Sequence, residues 1–204
     1  MVLIAKDNVA IVLNILLIVL EIIALAITID LIGLDLTYYT VDANLFALIS
    51  AILFLTLKKR IPKAVDILKY SSTLALFITF LVVIFILYPM RDFNFNFLFL
   101  EGPNLYFHVL CPLIALISFL FFEGNELENT LKNNLYAMLF TLIYAVIIIS
   151  LNIAKVVTGP YPFLMVYSQP LLASLFWVIV ILGFAFVLAR LLLMIKDLLT
   201  ILNV

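Results

Sequence analysis

Six apolar stretches, divided by short polar connections, set the pattern of this chain: residues 9–32, 39–57, 73–88, 105–122, 136–153 and 171–194. Each is near the ~20 residues a helix needs to cross a bilayer. The pattern predicts an all-α, polytopic membrane protein of six transmembrane helices, forming one domain over residues 1–204. The first stretch is too long for a cleaved signal peptide and too interrupted by Asn14 and Glu21, so it reads as a retained span. Six spans place both termini on one side. Lys58, Lys59, Arg60, Lys63 and Lys69 crowd the expected connection between spans two and three, which makes that connection and both termini cytoplasmic. Nine of the eleven Lys and Arg residues then face inward, leaving Arg91 and Lys155 outside.

The polar positions inside the apolar stretches carry the remaining information. Asp7, Asn14, Glu21, Thr28 and Asp35 recur every seven residues and share one helix face. Such a stripe glues membrane helices together through hydrogen bonds. Glu21 falls near mid-bilayer, where a charged acid costs roughly 2.5–3.5 kcal/mol, so it is expected to face inward and to be protonated or paired. A proton relay is its functional reading, with no second buried acid expected inside another span. In the second stretch Thr40, Asn44, Ala47 and Ala51 form a small, partly polar face suited to close helix approach. In the fourth, Pro103 and Asn104 supply a helix start and an N-cap, placing His108 in the first turns. Pro112 lacks the amide that the His108 carbonyl would engage, so the helix is expected to open or kink there.

The connections are read more simply. The run Phe93–Phe97 reads as an interfacial aromatic cover, and residues 123–129 as a solvated cytoplasmic loop with ordinary acids. Asn152 and Lys155 fall on one side of the fifth helix, with Asp30, Asp35 and Asp42 as possible partners for a lysine that otherwise snorkels. The segment Thr158-Gly159-Pro160-Tyr161-Pro162 cannot continue a helix, and irregular backbone at membrane depth belongs where it is buried or lines a cavity.

Composition narrows the chemistry. At 68% hydrophobic and 11% charged, the chain lies far from soluble domains. A single cysteine and a single histidine exclude an internal disulfide and a Cys- or His-rich metal site. No basic face suits nucleic acid, and five glycines supply no phosphate-cradling loop. No metal and no cofactor is expected; the expected partners are membrane lipids or a lipid-like substrate.

Thr40 and His108 each open an inward-running span, so they are expected at one depth near the outer face, with Asp35 and residues 158–162 at the same level. The segments 39–45, 108–113 and 158–164 together resemble, in order and spacing, the androgen-induced-gene/FAR-17a membrane protein family and its short bacterial relatives. Animal members are threonine hydrolases of fatty acid esters of hydroxy fatty acids. The resemblance implies Thr40 as nucleophile and His108 as base, in the plasma membrane of a prokaryote. It departs from the animal members at Ala43, where they carry an acid, and in a histidine–proline spacing shorter by one.

The expected function is therefore a lipid ester hydrolase, with Asp42, Asn44, Asn104, Thr158 and Tyr161 supporting the pair. The rival expectation is a small-solute or lipid transporter using the intramembrane polar groups Asn14, Glu21, Thr28, Asn152 and Lys155; a structural membrane subunit is the third. Depth separates the first two. A hydrolase gathers polar groups at one level, whereas a transporter distributes them across the bilayer.

Overall fold

A computed structural model describes residues 2–125 and 127–202, all of them in helices and connections. Glu126, in the connection after the fourth apolar stretch, lies outside them. The helices are α1 (Val2–Leu31), α2 (Tyr39–Leu57), α3 (Pro62–Val82), α4 (Cys111–Phe122), α5 (Leu131–Ile153) and α6 (Leu171–Ile201). Among the described residues, five helical stretches are long and apolar enough to cross a membrane: Lys6–Leu31, Tyr39–Leu57, Pro62–Met90, Leu131–Ile153 and Leu171–Ile201. The fourth apolar stretch forms a shorter helix than the other five. Its helix, Tyr106–Phe122, joins a five-residue π-helical turn to twelve α-helical residues, about 25 Å at the α-helical rise against a hydrocarbon core of about 30 Å.

Two prolines explain where the helices change register. The π-turn Val83–Leu87 is followed by Tyr88-Pro89, and Tyr106–Leu110 by Cys111-Pro112. In each, the residue before proline donates its N–H five residues back, Tyr88 to Val83 and Cys111 to Tyr106. An α-helical register would aim the carbonyls of Phe85 and His108 at proline nitrogens that carry no hydrogen. The opening expected at His108 is thus a π-turn.

The third helix begins at Pro62, not at residue 73, because proline is well suited to the first helical turn. This corrects the reading of Lys69, which is wholly buried in α3 and does not belong to the basic connection. α3 packs against α2, α4, α5 and α6, and its polar side chains reach four other helices. Lys69 Nζ donates to Asn14 of α1 at 2.9 Å, and Ser72 to Ser50 of α2 at 3.0 Å. The Tyr70 hydroxyl meets Asn134 of α5 at 2.7 Å and the Ala189 carbonyl of α6 at 2.5 Å, while Ser71 donates to the Ala137 carbonyl of α5.

The outside shows the opposite chemistry, with Val12, Ile22, Ile29, Phe176 and Ile179 all exposed. Polar groups inside and aliphatic groups outside are what a bundle surrounded by lipid requires. The small face of α2 is as expected: Asn44, Ala47 and Ala51 are fully buried, and α2 packs closely on α3 and α1.

Candidate functional site

The connection between α1 and α2, the start of α2 and the segment after α5 meet at one end of the bundle. There a cavity of about 840 Å³ is lined by Thr28, Thr40, Asn104, His108 and Tyr161, with Arg91 and Glu101 adding charge. Thr40 lies in the first turn of α2, where backbone N–H groups have no helical acceptor. The Tyr161 hydroxyl approaches the Thr40 N–H at 3.4 Å and its Oγ1 at 3.5 Å. Asn44 is one turn deeper and donates to the Thr40 carbonyl at 2.7 Å.

Tyr161 is held between two rings. Its ring stacks on Phe163 at 5.2 Å and meets Tyr38 edge-on at 6.0 Å, while Phe163 contacts Trp177 of α6. Gly159 permits the fold of this segment, since a Cβ there would sit 2.5 Å from the Leu164 carbonyl oxygen. Burial pushes the Tyr161 hydroxyl up to about 12, with its Thr40 contacts acting weakly in the other direction. It is therefore a neutral donor throughout the physiological range.

His108 is buried, and its Nδ1 lies 2.7 Å from the Leu98 carbonyl. A carbonyl only accepts, so this contact places the proton on Nδ1 and leaves the Nε2 lone pair available. The same π-turn, Asn96–Leu100, is held one residue earlier, where Asn104 Nδ2 donates to the Phe97 carbonyl at 2.7 Å. Asn104 is thus not the N-cap it was expected to be. The aromatic run is more than a cover: Phe93, Phe95 and Phe97 are exposed, but Leu98 and Phe99, which follow, are buried, and the Leu98 carbonyl orients the imidazole. Only the alternation of Asn and Phe along 93–97 hinted at a built turn.

Thr40 and His108 share the cavity but no hydrogen bond joins them directly. Asp42 is half-buried and does not line the cavity. Thr158 is exposed and lines a different depression, with Asn152 and Lys155. Asn152 is buried and holds the irregular segment, donating to the Val157 carbonyl at 2.9 Å and accepting from the Val166 N–H at 3.0 Å. Lys155 pairs with none of Asp30, Asp35 or Asp42; it lies beyond the end of α5 with φ +60°, its ammonium 5.1 Å from the Tyr167 ring centre.

A narrow slot of about 60 Å³ adjoins the cavity, sharing Thr40, Tyr161 and Leu87 with it. Several hydroxyls border the slot, but their hydrogen bonds are directed elsewhere. Tyr39 bonds Thr141, Tyr144 donates to the Thr37 carbonyl and Thr79 to the Ala75 carbonyl. The slot accordingly presents hydrocarbon.

A second concentration of polar groups lies toward the other end, and it corrects two expectations. Glu123 is buried, not solvated, and it is a second buried acid alongside Glu21; Asp66 of α3 is a third. Asn14 Nδ2 donates to the Ala10 carbonyl at 2.9 Å and to Glu123 at 2.5 Å, Ser118 donates to Glu123, and Lys69 Nζ lies 3.6 Å from the same carboxylate. Asp66 pairs with Lys58 and receives the Gly124 N–H at 3.3 Å. Of the seven-residue stripe, Asn14, Glu21 and Thr28 are buried and Asp7 and Asp35 exposed. Among the described residues no three His, Cys, Asp or Glu side chains cluster as a metal site.

Fold and site together define an all-helical bundle of membrane-protein character with a polar cavity at one end. No protein-family model, no curated protein and no solved structure matches the chain.

Proposed function

We propose that the protein is a six-span integral membrane hydrolase of lipid esters, with both termini cytoplasmic and its site at the outer face of a prokaryotic plasma membrane. The observation that carries this reading is the shared cavity. A threonine hydroxyl at a helix start and a histidine with its Nδ1 proton fixed face one polar space beside an apolar slot. The family resemblance across residues 39–164 supports the same pair.

In this mechanism the ester enters from the lipid with the first carbons of its acyl chain in the slot. His108 Nε2 takes the proton of Thr40 Oγ1 as that oxygen attacks the ester carbonyl, forming an acyl-threonine after the proton passes to the leaving alcohol. Water then attacks the acyl-threonine, with His108 again taking and returning a proton. The Tyr161 hydroxyl and the Thr40 N–H beside it, at the positive end of α2, stabilise negative charge on the carbonyl oxygen. Asn104 and Leu98 act through the imidazole and the turn that holds it.

The test is turnover of medium-chain p-nitrophenyl esters by purified protein. Thr40→Ala and His108→Ala should each lower it at least 100-fold with helical content unchanged, and the double variant should lose nothing further, because the pair acts as a unit. Folded single variants that turn over ester at the wild-type rate would overturn the proposal.

A further inference from the structure

The buried face of α1 joins two cavities. Thr28 lines the cavity that holds Thr40 and His108. Glu123, bonded to Asn14 of α1, lines a second cavity of about 550 Å³ at the opposite end, together with Asp7, Lys58 and Lys59. Glu21 lies midway, about 10 Å along the helix from Asn14 and from Thr28 at 1.5 Å per residue.

Glu21 is fully buried, and neither of its carboxyl oxygens receives a hydrogen bond from a nitrogen or oxygen donor. A carboxyl retained only to glue helices would be bonded more fully than by the single Cys111 thiol that meets Glu21 from α4. Asn14, one heptad away, shows what that looks like, with both ends of its amide engaged across helices. The groups acting on Glu21 are the Cys111 thiol of α4 and, through space, the Lys69 ammonium of α3. Lys69 is also the ion-pair partner of Glu123. One buried cation therefore serves two buried acids.

We propose that this seam is a proton path between the two cavities, with Glu21 as the group loaded and unloaded at mid-span. The step is the transfer of one proton. With Glu21 protonated, Lys69 neutralises the Glu123 carboxylate. When the proton passes through intervening water to Glu123, Lys69 faces the Glu21 carboxylate instead. In both states the trio holds one positive charge, one negative charge and one neutral acid, so the transfer exposes no uncompensated charge to the low-dielectric interior, where such a charge is costly. Water in the Thr28 cavity exchanges protons with Glu21, and water in the Lys58 cavity exchanges them with Glu123. This activity is independent of ester hydrolysis.

The experiment uses the full chain in sealed liposomes containing a trapped pH-sensitive dye, with a potassium diffusion potential driving proton entry. Wild-type protein should carry protons well above the rate of protein-free liposomes. Glu21→Gln should reduce the flux at least tenfold, to the protein-free level, while ester turnover by the same preparation is unchanged. Glu21→Asp, which keeps a carboxylate, should retain part of the flux. Wild-type flux no greater than that of empty liposomes, or full flux in folded Glu21→Gln, would overturn the proposal. Should Glu21→Gln not fold, the infrared carbonyl band of a protonated carboxylic acid in the wild type decides: a band that follows pH from either side supports the path, and one indifferent to pH on both sides overturns it.

Discussion

Tyr161 shows how much one side chain can be asked to do. Its hydroxyl stands over both the amide and the hydroxyl of Thr40, and Tyr161→Phe removes it while keeping the ring stack on Phe163. Loss of one donor to a developing oxyanion costs about 10²–10³ in turnover, so ester hydrolysis should fall by about that factor, measured at saturating ester. Burial raises this tyrosine from its ordinary 10.0 to about 12. The folded protein thus holds the phenol's proton more tightly than the unfolded chain does. The stabilisation tied to it is fully present below pH 10 and is lost as pH climbs toward 12. Alkaline unfolding followed by circular dichroism should therefore show a shallower loss of stability over that interval in Tyr161→Phe than in wild type. A second residue-scale prediction concerns Lys69. Lys69→Met leaves Glu123 buried without its cation, which typically costs about 3–5 kcal/mol. Lys69→Met with Glu123→Gln should recover most of that loss, read as thermal unfolding in detergent.

At the scale of elements, the π-turns hold the site in register. Residues 106–110 take the wider turn because Pro112 cannot serve the His108 carbonyl, and that turn presents His108 Nδ1 to Leu98. Pro112→Ala restores the missing amide and lets the segment relax to an α-register, which rotates the imidazole away from the Leu98 carbonyl. Ester turnover should drop at least tenfold with the helical circular dichroism spectrum unchanged; unaltered turnover would mean that the π-turn does not position His108. This arrangement was partly legible in the chain. Pro112, four residues after the only histidine, marked where the helix must change. The partner was not legible, because Leu98 contributes a backbone carbonyl and its side chain gives no sign of that role.

For the whole molecule, hydropathy revealed the α-helical class, the boundaries of α2 and the inward face of α1, because long apolar runs and heptad spacing are local properties. It misplaced the start of α3, since residues 62–72 are too polar to read as membrane-buried. The fold buries them by using α3 as the shared partner of the other helices, with Lys69, Tyr70, Ser71 and Ser72 each bonded to another helix. Glu123 was misread for the same reason: an acid in a short polar connection gives no sign that Asn14, 109 positions earlier, will meet it.

The proposed orientation rests on charge asymmetry. Lys63→Cys should react with a membrane-impermeant thiol reagent only in opened cells and Asn96→Cys in intact ones; the reverse pattern would move the Thr40 cavity to the cytoplasmic face. The central claim, that Thr40 is an activated nucleophile, is tested most directly by treating the purified protein with a fluorophosphonate and locating the adduct by tandem mass spectrometry. One adduct is expected, on Thr40, absent from Thr40→Ala and at least 100-fold slower to form in His108→Ala. No adduct on the folded wild-type protein, or an adduct on Thr40 that forms at the same rate without His108, would contradict it.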